Sequence, residues 1–209
     1  MLIDFLFLDP NKCYICKEEY IYKYHICRNC FDKLDYVDNE FLVGDTKAYA
    51  MFFYDDFFKK LIGDYKFERN TSLSRVFSEF LYEYGTRKGL FDADYILTSP
   101  SSKSTLIDRG FDQIRMITDD FIEKIRPSYL DEFRKVKDTK AQHDLGREER
   151  SLNLVDAFVC QKDMTGKSVL IIDDILTTGN TAKEIIKVLK ASHSKEIKVL
   201  ALASEKRVI

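Results

Sequence analysis

Prolines number only three in this chain of 209 residues, and it has no internal repeat and no low-complexity tract. A repeat array or a Pro-rich spacer is thereby excluded. Long hydrophobic runs are missing too. The opening Met1–Leu8 is apolar but short, has no basic flank and carries Asp4, so it reads as neither a signal peptide nor a membrane span. An excess of charge of one sign is equally absent: 33 Lys and Arg face 35 Asp and Glu, for a net charge of −2. No global basic field therefore advertises nucleic acid, and any such contact needs a local patch. The two common nucleotide signatures, GxxxxGKS/T and GxGxxG, do not occur. With 45% hydrophobic and 33% charged residues, the expectation is a cytoplasmic protein without membrane insertion. Its length suits one full domain with a small appendage.

Cysteine is scarce but ordered. Four of five cysteines form Cys13-x2-Cys16 and Cys27-x2-Cys30, ten residues apart. Each Cys-x-x-Cys turn aims two thiolates at one ion, and two turns complete a tetrahedral Zn²⁺ site. Disulfides do not suit a chain without a secretion signal, and a redox dithiol needs one pair only. The metal is read as structural because all four positions are filled. His25 is read as a loop residue and Cys160 as a small core residue. Tyr14, Tyr20, Tyr22, Tyr24 and Phe31 alternate with Lys12, Lys17, Lys23 and Arg28. Such a mixture stacks and neutralises single-stranded nucleic acid, or simply packs a mini-domain that has almost no core. Both readings stay open.

The most informative stretch is Val169-Leu-Ile-Ile-Asp-Asp-Ile-Leu-Thr-Thr-Gly-Asn-Thr181. Val169–Ile172 is aliphatic and partly β-branched, as in a strand buried on both faces of a parallel sheet. From Ala182 to Lys190, Ala182, Ile185, Ile186 and Leu189 recur at helical spacing. Ligands of open α/β sheets bind where strands end and helices begin. A helix start with Gly179 and the hydroxyls of Thr177, Thr178 and Thr181 is an anion site. Asp173 and Asp174 repel each other unless a cation or hydroxyl donors satisfy them; a vicinal diol supplies two donors, and Mg²⁺ nearby would relieve the charge. A ribose 5-phosphate carries both groups.

Elsewhere the pattern alternates. A polar, acidic connector is expected over Asp32–Asp45, strands over Thr46–Phe53, Tyr95–Thr98 and Ile197–Ser204, and helices over Asp55–Lys66, Leu73–Gly85 and Phe111–Ile125. This order argues an α/β sheet. The division expected is a cysteine module over 1–45 and a larger domain over 46–209.

Residues 169–181 resemble the 5-phosphoribosyl-1-pyrophosphate (PRPP) binding motif of type I phosphoribosyltransferases. Further elements are Ser99-Pro-Ser-Ser-Lys103, Asp108-Arg-Gly-Phe-Asp-Gln113, Arg134-Lys135 through Gln142, and Gly146-Arg-Glu-Glu-Arg150 with Asn153. With the four-cysteine knuckle, this set resembles the ComF family, specifically its ComFC-like members, which join a zinc knuckle to a phosphoribosyltransferase domain and serve DNA uptake in natural transformation. Thr98-Ser-Pro100 stands where the family has Pro-Val-Pro, Asp112 stands for its Asn, and the loop at 98–105 is poorer in Arg and Lys.

The resemblance implies a fold, a ligand and roles. The fold is a phosphoribosyltransferase-like parallel sheet flanked by helices, with an N-terminal zinc module. Asp173 and Asp174 would hold the ribose hydroxyls and favour an oxocarbenium-like transition state, assisted by Mg²⁺. Thr177, Thr178, Gly179, Asn180 and Thr181 would fix the 5-phosphate. Ser102, Lys103 and Arg109 would neutralise the leaving pyrophosphate. Arg134, Lys135, Arg147 and Arg150 would close over the site or follow a nucleic-acid backbone, unless acidic neighbours leave that stretch a solvated loop. Three readings follow: a PRPP-binding protein of DNA uptake that contacts single-stranded DNA, a true PRPP-dependent glycosyltransferase with an unidentified acceptor, and a PRPP-sensing regulator or scaffold for other DNA-uptake proteins.

Overall fold

The structure, a computed structural model, describes residues 9–137, 154 and 156–205. In chain order its elements are α1 (Arg28–Asp32), β1 (Tyr36–Val43), β2 (Thr46–Phe53), α2 (Asp56–Lys66), α3 (Leu73–Arg87), β3 (Tyr95–Thr98), α4 (Lys103–Arg109) and α5 (Gln113–Asp119). There follow β4 (Ser128–Tyr129), β5 (Phe133–Lys135), β6 (Phe158–Cys160), β7 (Ser168–Leu176), α6 (Asn180–Ala191) and β8 (Glu196–Ser204). Six strands make one sheet in the order β1-β2-β8-β7-β3-β4, and β5 and β6 form a separate antiparallel ribbon. All neighbours in the large sheet run parallel except the β1–β2 hairpin. The α/β class and the parallel sheet agree with the sequence reading.

The strand period of two divides the core. Leu170 and Ile172 of β7 face one side with Ile96, Leu200 and Leu202, under Phe58, Phe77, Leu81 and Ile117 of the helices α2, α3 and α5. Val169 and Ile171 face the other side with Leu97 and Val199, under Ile185, Ile186 and Leu189 of α6. The helical chain after β3 thus packs one face, and the helix after β7 packs the other. Adjacent parallel strands whose helices part in this way open a crevice at their carboxyl ends.

That crevice has a measurable step. β3 stops at Thr98, in register with Ile172, while β7 continues to Leu176 beside β8. Asp173 and Asp174 are therefore inside a strand, not beyond its end as the aliphatic run alone indicates. They lack a β3 neighbour, and the chain after β3 is held by the Ser99 N–H donating to the Ile172 carbonyl at 2.9 Å.

Other expectations need correction. Residues 36–43, read as a connector, are the antiparallel edge strand β1. Its Asp38, Asn39 and Glu40 look like loop residues because an edge strand tolerates polar side chains. The single helix expected over 111–125 is α5 followed by a 3-10 turn at Ile122–Lys124. Ahead of it lies the unforeseen α4, ended by Gly110 at φ +81° and separated from α5 by Asp112, whose side chain caps Arg115 N–H. The small strands β4, β5 and β6 carry too few residues to show a period.

The cysteine module is joined to the main body. Cys13, Tyr14, Ile26, Cys27 and Cys30 belong to the same core cluster as Phe77, Phe80 and Leu200. Tyr24 packs on Phe80 of α3 with ring centroids 4.7 Å apart and donates its hydroxyl to Glu83. His25 stacks on Tyr14 at 5.0 Å and meets Glu79 at 3.1 Å.

Candidate functional site

A cleft of about 950 Å³ opens at the carboxyl end of the sheet, lined by residues of α2, the loop after β3, α4 and β7. Asp173, Asp174 and Thr181 lie in its wall with Ser102, Arg109 and Lys135. Its lining comes from separate parts of the sequence, residues 54–69, 99–113, 135 and 154, and 173–181, which meet at the step between β3 and β7.

Asp174 is engaged from two sides. Lys66, at the last position of α2, forms an ion pair with its Oδ2, and the side chains are only 14% and 9% exposed. Gln113 donates Nε2 to the same oxygen at 2.8 Å. The side-chain carbonyl of Gln113 in turn accepts from Arg109, whose guanidinium lies over the Phe67 ring at 5.3 Å. The buried Tyr65 donates its hydroxyl to the Gln113 backbone carbonyl at 2.7 Å, tying α2 to α5. Burial lowers the Arg109 pKa from the ordinary guanidinium value, against the opposing pull of Asp174.

Asp173 is the less engaged partner. Its Oδ1 accepts the Asp174 N–H at 2.9 Å, and the Ser99 side chain is a second hydrogen-bond partner. Desolvation, and after it the Asp174 charge, push its pKa up to about 7. A hydroxyl-bearing ligand would meet here a carboxyl group that shares its proton with the solvent near neutrality.

The turn after β7 sits beside the cleft. Gly179 takes φ +70°, a left-handed conformation that side chains disfavour. An added Cβ would also lie 3.3 Å from Val43 Cγ1 of the hairpin. Asn180 opens α6, and its N–H donates to Thr178 Oγ1 at 3.4 Å. Thr177, Thr178 and Gly179 line a neighbouring cavity of about 250 Å³ with Val43, Gly44 and Lys183. The turn thus divides its residues between two hollows, Thr181 facing the larger.

Ser102 is buried and serves the local fold, since its Oγ caps α4 by accepting Thr105 N–H at 3.1 Å. Lys103 is exposed and does not line the cleft. In β5, Lys135 lines the cleft whereas Arg134 is exposed to solvent. Arg147 and Arg150 lie outside the described residues. Lys66 and Gln113 are the site residues that sequence reasoning missed. Gln113 closes the Arg-Gly-Phe-Asp-Gln run, but nothing local gives Lys66 away, because its partner is 108 positions later in the chain.

The four cysteine sulfurs lie within 4.8 Å of one another. Cys16 and Cys27 Sγ are 3.8 Å apart, too far for a disulfide. A tetrahedral ion with Zn–S bonds of about 2.3 Å separates its sulfurs by about 3.8 Å. Burial pushes the Cys27 pKa up to about 11 and that of Cys30 higher still; at Cys16 burial also pushes upward, but hydrogen bonds from the Glu19 and Glu18 backbone and from Cys13 and Cys27 together bring it down to about 7. Four thiols so close ionise together only around a cation, so the donor set fits a metal such as zinc. Among the described residues no other group of three or more His, Cys, Asp or Glu gathers in this way.

Around this cluster, Tyr14, Tyr24 and Phe31 turn inward and pack. Tyr20 and Tyr22 do not: they are 71% and 53% exposed, with Lys12 Nζ and Arg28 Cζ over their rings at 4.0 and 4.9 Å. The two readings of the aromatic set therefore divide by residue. Cys160 is half-buried in β6, where its thiol donates to the Lys162 carbonyl at 3.4 Å.

The phosphoribosyl transferase domain family matches residues 128–207, the segment that holds β7, its turn and α6. Competence protein ComFC of Streptococcus pneumoniae (strain ATCC BAA-255 / R6) is 29% identical over 153 residues, spanning 73% of this chain and 66% of that protein. Competence protein F of Haemophilus influenzae (strain ATCC 51907 / DSM 11121 / KW20 / Rd) is 26% identical over 199 residues, 91% and 83% of the two chains. DNA utilization protein YhgH of Escherichia coli (strain K12) is 28% identical over 148 residues, 68% and 65%. The chain thus spans about two thirds of the first and third of these relatives. An α/β fold with a phosphoribosyltransferase domain defines the class. Within it, the matches support a ComF-family, phosphoribosyltransferase-like assignment for this chain. Among the described residues no helix is long and apolar enough to cross a membrane.

Proposed function

We propose that this protein binds PRPP or a related phosphoribosyl ligand in the cleft below β3 and β7, and that it serves DNA uptake as a ComF-type protein in contact with single-stranded DNA. The observation that carries the first part is the placing of Asp173 and Asp174 where β7 outruns β3, just ahead of the turn that opens α6. Diol acceptors and phosphate donors then stand side by side. Asp173 would take the sugar hydroxyls, the turn at 177–181 the 5-phosphate, and Arg109 with Lys135 the charge of a pyrophosphate. Mg²⁺ would accompany that pyrophosphate. Zinc in the four-cysteine cluster would hold the module in shape.

The second part rests on the exposed Tyr20 and Tyr22 with their cations, and on relatives named for competence and DNA utilisation. Calorimetric titration of PRPP with Mg²⁺ tests the ligand. Wild type should bind, and an Asp173→Asn/Asp174→Asn variant should not. Equal affinity of both, or no heat from either, would refute the site. Pyrophosphate release on adding candidate nucleobase acceptors separates turnover from binding.

A further inference from the structure

We propose that Lys66 is a resident cation for the aspartate pair, taking the place that a divalent ion would have there, so that the sugar end of the cleft works without metal. The inference deepens the phosphoribosyl reading and rests on it. Neighbouring carboxylates in a partly dry crevice need a counter-charge. Here α2 delivers one from its last turn, held in place because the Tyr65 hydroxyl is fastened to the Gln113 backbone. The Lys66 ammonium contacts Asp174 Oδ2, and Gln113 Nε2 reaches the same oxygen at 2.8 Å. Mg²⁺ requires direct oxygen contact at about 2.1 Å in a near-octahedral shell. On Asp174 Oδ2 it would compete with two donors already in place, one of them a like charge.

Arg109 brings a second positive charge to the same cleft, held on the side-chain carbonyl of Gln113 and left for the pyrophosphate. The division of labour follows. Asp174 is neutralised by lysine, and Asp173, held by the Asp174 N–H and Ser99, is left to accept sugar hydroxyls. Lys66 is then a positioning residue. Metal dependence, where it arises, comes from the pyrophosphate and not from the aspartates.

Two measurements on the full chain test this. Mn²⁺ is titrated and followed by electron paramagnetic resonance. Wild type and Asp174→Asn should bind the same amount, Lys66→Met should gain one ion, and Lys66→Met/Asp174→Asn should lose it again. In parallel, ribose 5-phosphate is titrated without added divalent cation, in buffer freed of it by dialysis, or with Mg²⁺. Wild-type affinity should agree within about twofold between the two, whereas Lys66→Met should weaken about tenfold without Mg²⁺ and recover with it. A wild-type Mn²⁺ ion that Asp174→Asn removes, or wild-type sugar-phosphate binding that requires Mg²⁺, overturns the role of Lys66 and leaves the proposed ligand intact. Ribose 5-phosphate binding in neither condition overturns the ligand instead, while the wild-type and Asp174→Asn comparison still decides on Lys66, whether or not the Lys66 variant folds.

Discussion

Gln113 and Asp174 are joined by a buried hydrogen bond of 2.8 Å that links α5 to the central strand across 61 residues of sequence. Since Gln113 also accepts from Arg109, its amide fixes the order of donor and acceptor along the chain Arg109–Gln113–Asp174. Replacing it by Leu keeps the bulk and removes both bonds. Hydrogen bonds to charged groups contribute about 1.5–3 kcal/mol, so Gln113→Leu should lower stability by about 2 kcal/mol in urea melts. Gln113→Glu should cost more, because it adds a third carboxylate beside Asp173 and Asp174. A Glu variant as stable as wild type would refute this polarity.

Asp173 makes stability depend on pH in a definite direction. Its pKa is raised from 3.8 to about 7 on folding, mainly by desolvation. The folded state therefore holds this proton more tightly than the unfolded chain. The resulting stabilisation is complete below about pH 4 and is lost as pH rises towards and through 7. Asp173→Asn should accordingly gain on wild type as pH rises, with a Tm advantage at pH 8 that shrinks at pH 5. At about 2–4 °C per kcal/mol for a domain of this size, the difference is readily measured by calorimetry. A Tm difference that stays constant from pH 5 to 8 would contradict the raised pKa of this carboxyl.

The cysteine cluster should carry close to one zinc per chain by elemental analysis. Removal by a strong chelator should lower the Tm of the whole protein in one transition, because the ligand-bearing loops share their core with α3 and the sheet. Phe80 is the clearest link, meeting Tyr24 at 4.7 Å and Phe52 at 5.0 Å. Phe80→Ala should cost about 3 kcal/mol, as large-to-small changes at buried aromatics do, and should speed metal loss. Two separate melting transitions after chelation would show that module and body are independent.

Tyr20 and Tyr22 give the nucleic-acid reading its test. Base stacking on an aromatic side chain is worth about 1–3 kcal/mol per base. Tyr20→Ala/Tyr22→Ala should then weaken a single-stranded oligonucleotide by at least about tenfold in fluorescence anisotropy, with the fold unchanged because both rings are exposed. Binding should also weaken as salt rises. An unchanged affinity in the double variant would move any DNA contact away from the knuckle.

How far the sequence leads is visible in individual residues. Thr46–Phe53 and Tyr95–Thr98 coincide with β2 and β3 because both run into the core as largely apolar strands. The cysteine spacing was legible since a knuckle is a local object, and so was the order of strand, turn and helix at 168–191. β1 was not, because its polar residues obey the rules of a sheet edge. Lys66 was hidden for another reason: a lysine at the end of an amphipathic helix is usually solvated, and only the third dimension lays it on Asp174. The capping role of the Ser102 hydroxyl in α4 was likewise not legible, although the residue does line the cleft.

The four-residue overhang of β7 beyond β3 leaves the site hostage to the length of a strand that contributes none of its carboxylates. If Ser99 and Pro100 were recast to continue β3, the ladder would close over Asp173 and Asp174 with every ligand-facing side chain still in place. Ser99 has already taken the first such step, its N–H resting on the Ile172 carbonyl, and α4 begins only four residues further on.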